Sequence, residues 1–226
     1  MRTAAQDNAS KQPLAPGCVT SVASAPGVTA TTSAVIFDFD GTLVDTMPVH
    51  YEAYRQAFAA AGIDLSREDF FGSIGGNARE TIPKMLRGRS CSLSIAELHA
   101  NKKRLVNDLF ASGPIQILET AKLLEVFAGR LPMALASSGS RAGIEILLAR
   151  FGWQKHFKAV ICGEDALHGK PAPDLFLLAA ERLGVRPAEC IVFEDTDAGV
   201  AAAVNAGMRP FDVRLTRANS AEEFGR

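Results

Sequence analysis

The chain has 226 residues, 47% of them hydrophobic, and its 24 basic and 25 acidic side chains give a formal charge of −1. That length holds one large domain, or one domain with a smaller insert, and the apolar share supports a sizeable core. The near-neutral balance gives no electrostatic reason for nucleic acid or an anionic membrane surface, and no apolar run approaches the length that spans a bilayer. Cys18, Cys91, Cys162 and Cys190 lie far apart, with no CxxC pair and no histidine at zinc spacing. Cys162 and Cys190, in apolar strand-like runs, read as buried free thiols, which fits a reducing cytoplasm.

Residues 1–33 are rich in Ala, Ser, Thr and Pro without periodicity, which predicts a disordered extension with no part in the chemistry. An apolar run of strand length, Val35-Ile36-Phe37, then meets Asp38, Asp40 and Gly41. If the strand continues, its period of two sends both carboxylates the same way. Taken alone, this stretch admits two readings: ordinary turn residues before a helix, or carboxylates that hold a cation and a phosphate. Pro48 opens a helix to about Ala61, with Tyr54, Ala57, Phe58 and Ala61 on one face and Gly62 as its stop. His50 lies one turn before Tyr54, where a lone histidine is ordinarily a packing or surface residue.

From about 64 to 111 the pattern is helical and polar. Ser66 with Asp69 and Ser94 with Glu97 carry capping-box spacing. The Gly75-Gly76 turn leads into a helix with Arg79 near its start, and Lys102-Lys103-Arg104 reads as a solvated helix face. After Pro114, strands and helices alternate. A helix near 119–129 precedes a strand at Met133–Ala136 that ends in Ser137-Ser138-Gly139. A helix carrying Ile144, Leu147, Leu148 and Phe151 leads to a strand at Ala159–Cys162 and a loop holding Lys170-Pro171. A helix stopped by Gly184 precedes a strand at Cys190–Phe193 that ends in Glu194-Asp195, and a last strand covers 210–213. This rhythm predicts an α/β fold with a parallel sheet covered on both faces.

Ligands of open parallel sheets bind outside the carboxyl ends of the strands. That rule gathers Asp38 and Asp40, Ser137, Lys170, and Glu194 with Asp195 at one edge. Carboxylates need a divalent ion to approach an anionic phosphate, so Asp195 with Glu194 is expected to hold Mg2+ opposite Asp38. Lys170 offsets negative charge, Ser137 donates to a phosphate oxygen, and backbone N–H groups near Gly41 and Ser138 complete the cradle. A nucleotide P-loop at Gly163…Gly169-Lys170 is excluded, because the spacing is one residue too long and Pro171 replaces Ser or Thr.

Asp38-Phe39-Asp40-Gly41-Thr42, Ser137, Lys170 in Gly-Lys-Pro-Ala-Pro-Asp, and Glu194-Asp195-Thr-Asp-Ala-Gly199 together resemble the haloacid dehalogenase superfamily, in its motif order from about 34 to 213. The closest likeness is to the branch of sugar-phosphate phosphatases and β-phosphoglucomutases. The resemblance implies a Rossmann-like core at 34–46 and 115–226 with an inserted helical cap at 47–114. It implies that Asp38 forms a phosphoaspartyl intermediate, and that Asp40 acts as acid and base with its backbone carbonyl on magnesium. His50 near the hinge and Arg79 in the cap would then touch substrate. Asp40 points to phosphate esters rather than to dehalogenation. The expected enzyme is a monomeric, cytoplasmic phosphatase of a small phosphorylated sugar, with a phosphosugar mutase as the alternative.

Overall fold

The structure, a computed structural model, describes residues 22–73 and 78–215. Its centre is a five-stranded parallel sheet ordered β5-β4-β1-β6-β7, made of β1 (Ala34–Phe37), β4 (Met133–Ala136), β5 (Ala159–Ile161), β6 (Cys190–Glu194) and β7 (Arg209–Asp212). The three inner strands are buried along their whole length, which is why AVIF, MALA and CIVFE are unbroken apolar runs rather than alternating ones. Val35, Phe37, Leu135 and Phe193 face one way, against α5 (Leu123–Phe127) and α6 (Arg141–Phe151). Their neighbours Ala34, Ile36, Ala134 and Val192 face the other, against α7 (Asp174–Leu183) and α8 (Asp197–Asn205). The rings of Phe37 and Phe193 stack across the β1–β6 pair at 5.0 Å.

Between β1 and β4 the chain leaves the sheet. It passes through β2 (Val44–Asp45), then α1 (Met47–Ala59), α2 (Arg67–Phe71), α3 (Ala78–Leu86) and α4 (Ile95–Ser112), and returns through β3 (Gln116–Ile117). β2 and β3 pair antiparallel, so the outgoing and returning strands run side by side. The helices bury a separate cluster that includes Tyr54, Phe58, Phe70, Ile82, Met85 and Leu98. Ser66 and Ser94 cap α2 and α4 from the positions their spacing marks, Ser94 in a full capping box with Glu97. In this layer Asp69 takes Arg87 at 2.7 Å and Arg89 at 3.0 Å.

Two expectations are corrected. Residues 22–33 are not a structureless tail: Val22–Ser24 form a short 3-10 helix and Ala25 is buried in the main core. The Arg209 guanidinium donates to the Gly27 carbonyl at 3.0 Å and to Thr32 Oγ1 at 3.1 Å. The segment carries no periodicity because it is irregular, not because it is unpacked. Residues 1–21 lie outside the described residues. The single helix near 119–129 divides into a 3-10 turn, Glu119–Lys122, and α5, which gives way to Gly129 at φ +71°.

Candidate active site

Four strand ends meet at the carboxyl edge of the sheet. Asp38 follows β1 directly, and its N–H still donates to the Phe193 carbonyl at 3.0 Å, so the β1–β6 ladder holds the residue that bears the carboxylate. Lys170, from the loop between β5 and α7, places Nζ 2.5 Å from Asp38 Oδ1 and 2.6 Å from Glu194 Oε2. These three side chains are no more than 8% exposed. Burial pushes the Asp38 carboxyl well above its usual range, Lys170 opposes that, and Glu194 and Asp40 reinforce it. Burial alone would depress the Lys170 ammonium, but Asp38 and Glu194 outweigh it and raise it.

Asp38, Glu194 and Asp195 bring carboxylate oxygens within 4.8 Å of one another. Three carboxylates against the Lys170 ammonium leave two formal negative charges in a largely enclosed site, an arrangement that calls for a counter-cation. An all-oxygen donor set with this charge suits a hard divalent ion such as magnesium. The Glu194 carboxylate is already heavily engaged. Its Oε1 accepts from the backbone of Asp195 and Thr196 and from Thr196 Oγ1 at 2.8–3.0 Å, while Oε2 takes Lys170. Asp38 likewise takes Lys170, and Asp195 Oδ1 accepts from Thr42 Oγ1 at 3.2 Å, so each of the three carboxylates keeps a protein partner. Two glycines make room for this. A Cβ on Gly41, which sits at φ +80°, would lie 2.1 Å from Asp195 Oδ2, and one on Gly199 would lie 2.0 Å from the Glu194 carboxyl carbon.

Asp40 stands apart from the three-carboxylate cluster. Its Oδ1 accepts from Thr46 Oγ1 at 2.7 Å and its Oδ2 from Ser137 Oγ at 3.1 Å. Ser137, expected to donate to a phosphate, is thus hydrogen-bonded to a carboxylate, and its oxygen accepts from the Gly139 N–H at 2.9 Å. Ser138 is exposed in the same turn.

The helical layer contributes from above. His50, on α1, is half-buried with its ring 5.8 Å from that of Phe110, and its Nδ1 has no hydrogen-bond partner among the described residues. Burial and then Lys102 bring its imidazole down to about 4, against a smaller opposing pull from Asp40. Lys102 corrects the reading of a solvated face. It is partly buried on α4, with Nζ 5.0 Å from the centre of the Tyr54 ring, and burial lowers its ammonium to about 8 while Asp40 works against that. Lys103 and Arg104 are exposed, as that reading has it. The signal for Lys102 was available: it falls on the apolar stripe of Leu98, Leu105, Val106 and Leu109, where a surface lysine has no place. Thr46, the partner of Asp40, carried no such signal. Arg79 is in the first turn of α3, but its side chain lies outside the described residues. The Gly75-Gly76 turn is outside them too.

Residues 32–207 match the haloacid dehalogenase-like hydrolases. The chain is 34% identical over 183 residues to the fructose-1-phosphate phosphatase YqaB of Escherichia coli K12, covering 81% of this chain and 97% of that protein. It superposes with TM-score 0.70 and 30% identity on CbbY from Rhodobacter sphaeroides in complex with phosphate, covering 79% and 84% of the two chains. On a putative β-phosphoglucomutase from Thermotoga maritima the TM-score is 0.66 at 31% identity, covering 80% and 85%. With a family match over most of its length, and relatives alike in both sequence and fold, this chain belongs to the haloacid dehalogenase-like hydrolases.

Proposed function

We propose that the protein is a magnesium-dependent phosphatase of small sugar phosphate monoesters that works through a phosphoaspartyl intermediate. One observation carries the reading: the buried Asp38 carboxylate, held by Lys170 at 2.5 Å and faced by Glu194 and Asp195. Burial raises this carboxyl and Lys170 opposes that rise, so the lysine favours the ionised form in which an aspartate acts as a nucleophile. A magnesium ion held by Asp38, Asp195 and the Asp40 carbonyl would supply the charge neutralisation that lets a phosphate dianion approach. Asp38 attacks phosphorus in line, and the bond to the sugar oxygen breaks. Asp40 gives that oxygen its proton. Asp40 then takes a proton from water, which attacks the phosphorus of the acyl phosphate, releasing inorganic phosphate and regenerating Asp38.

The Ser137–Asp40 bond gives this sequence an internal trigger. Phosphate oxygens compete for the Ser137 hydroxyl, and once it turns to them Asp40 Oδ2 is released to face the leaving group. From the helical layer, proposed as a cap over residues 47–114, Lys102 and Arg79 would bind the substrate's outer anionic groups. His50 would line the hinge side. Cys91, Cys162 and Cys190 are free thiols, which suits a reducing, cytoplasmic setting, and among the described residues no helix is long and apolar enough to cross a membrane.

The test is a panel of sugar phosphates assayed with magnesium and with chelator, for the native enzyme and for Asp38→Asn. Hydrolysis should need the metal and fall by about 10⁴-fold or more in the variant, as expected when a nucleophile is removed. Unchanged hydrolysis in Asp38→Asn would overturn the assignment. Isomerisation of a hexose phosphate without release of inorganic phosphate would favour the mutase instead.

A further inference from the structure

The reaction sequence uses neither Arg141, Glu164 nor Asp165, yet these residues tie together the two loops that deliver its donors. The first loop, after β4, holds Ser137 and Ser138. The second, after β5, runs to Lys170. Strand pairing between them ends at Ala136 and Ile161, with one further bond from the Ser137 N–H to the Ile161 carbonyl at 3.0 Å. Beyond that point the loops stay in contact. The Gly163 N–H donates to the Gly139 carbonyl at 3.0 Å, and a Cβ on Gly163 would come within 2.6 Å of the Ser138 carbonyl oxygen.

Arg141 closes the junction. It is the first residue of α6, where a positive charge meets the positive end of the helix dipole, and the first turn of α6 holds no acidic residue. The neighbouring loop supplies the missing negative charge. Glu164 Oε2 accepts the Arg141 N–H at 3.0 Å, and Asp165 Oδ2 takes the guanidinium. That same oxygen also accepts the Cys162 N–H at 2.8 Å, so the acidic partner is itself fixed to its own loop.

We propose that Arg141, with Glu164 and Asp165, is a positioning clamp that sets the separation between the Ser137–Ser138 turn and the Lys170 loop, so that both meet one phosphoryl group. The proposal rests on the phosphatase reading above. The Arg141 and Asp165 side chains are 41% and 29% exposed, and pairs of that kind add little to folding stability. The clamp therefore acts on geometry, where an error of about 1 Å costs up to roughly 10²-fold in rate.

The experiment uses the full chain with magnesium and p-nitrophenyl phosphate as substrate, comparing Arg141→Met, Asp165→Asn, the double variant and Arg141→Lys. Melting temperature and inhibition by orthovanadate are read alongside kcat and KM. Each single neutral variant is expected to lose kcat by roughly 10- to 100-fold, with KM and melting temperature nearly unchanged and vanadate affinity falling in step with kcat. The double variant should be no worse than the poorer single one, because one clamp is lost only once. Arg141→Lys should recover most of the rate. A kcat for Arg141→Met within about threefold of native overturns the clamp, as does a loss that tracks the melting temperature, or one that lysine does not repair. These outcomes are separable from failure of the catalytic reading, which is decided by Asp38→Asn alone.

Discussion

Gly199→Ala is the substitution for which ordinary propensity and this structure give opposite signs. Gly199 is the third residue of α8, and replacing glycine by alanine in a helix normally stabilises by up to about 1 kcal/mol. Here the added methyl would lie 2.0 Å from the Glu194 carboxyl carbon and 2.2 Å from its Oε2, so reaching even a tight 3.4 Å contact moves one group by 1.4 Å. Glu194 is 1% exposed and accepts hydrogen bonds of 2.6–3.0 Å from Lys170, Asp195 and Thr196, none of which survives such a shift. Breaking a buried charge pair from one side costs about 3–5 kcal/mol, which against the propensity gain leaves a net loss of about 2–4 kcal/mol. For a chain of this size that is roughly 4–16 °C in melting temperature, read by thermal and urea unfolding. Ala198→Gly, at the exposed neighbouring helix position, serves as the control and should cost about 1 kcal/mol in the ordinary direction. A Gly199→Ala protein as stable as the native one would refute the packing on which the acidic site is built.

Two further outcomes follow from the same geometry. Gly41→Ala places a side chain at φ +80° and 2.1 Å from Asp195 Oδ2. It should lose about 1–2 kcal/mol to backbone strain and weaken magnesium binding by at least about tenfold, measured by calorimetry; native-like affinity would contradict the assignment of Asp195 as a ligand. Lys102, lowered to about 8 by burial, is charged below that pH and neutral above it. KM for a sugar phosphate should therefore rise as pH climbs through 8. Lys102→Met should flatten that limb and raise KM at pH 7 by roughly 10-fold or more, the worth of a charged hydrogen bond. A native KM that is flat from pH 7 to 9 would count against Lys102 as a substrate contact.

Much of the side-chain cluster at the carboxyl edge was readable because its residues sit at the ends of strands. Chain order fixes which strand ends share an edge in a parallel sheet, so Asp38, Ser137, Lys170 and Glu194 could be grouped without knowing a single distance. What stayed hidden depends on side-chain direction and on contacts between distant elements. Ser137 spends its hydroxyl on Asp40, and Thr46 joins it there, because the chain curls back after Gly41. No local pattern encodes that. Lys102 was misread because a run of three basic residues looks like a solvated face, although only Lys103 and Arg104 point away from the apolar stripe of α4. The 22–33 segment was misread for the converse reason. Its burial comes from irregular contacts with Arg209 and the core, and periodicity analysis registers only regular ones.

The two-residue ribbon of β2 and β3 has a consequence for how this molecule can be rebuilt. Val44 faces Ile117 and Asp45 faces Gln116, so the place where the chain departs for α1–α4 and the place where it comes home are about 5 Å apart, one strand spacing. A tight hairpin turn could bridge that gap. A layer of different shape inserted there would still have to refill the core places of Val49, Ala53, Val106 and Phe110 and supply the Asp40 partner that Thr46 provides.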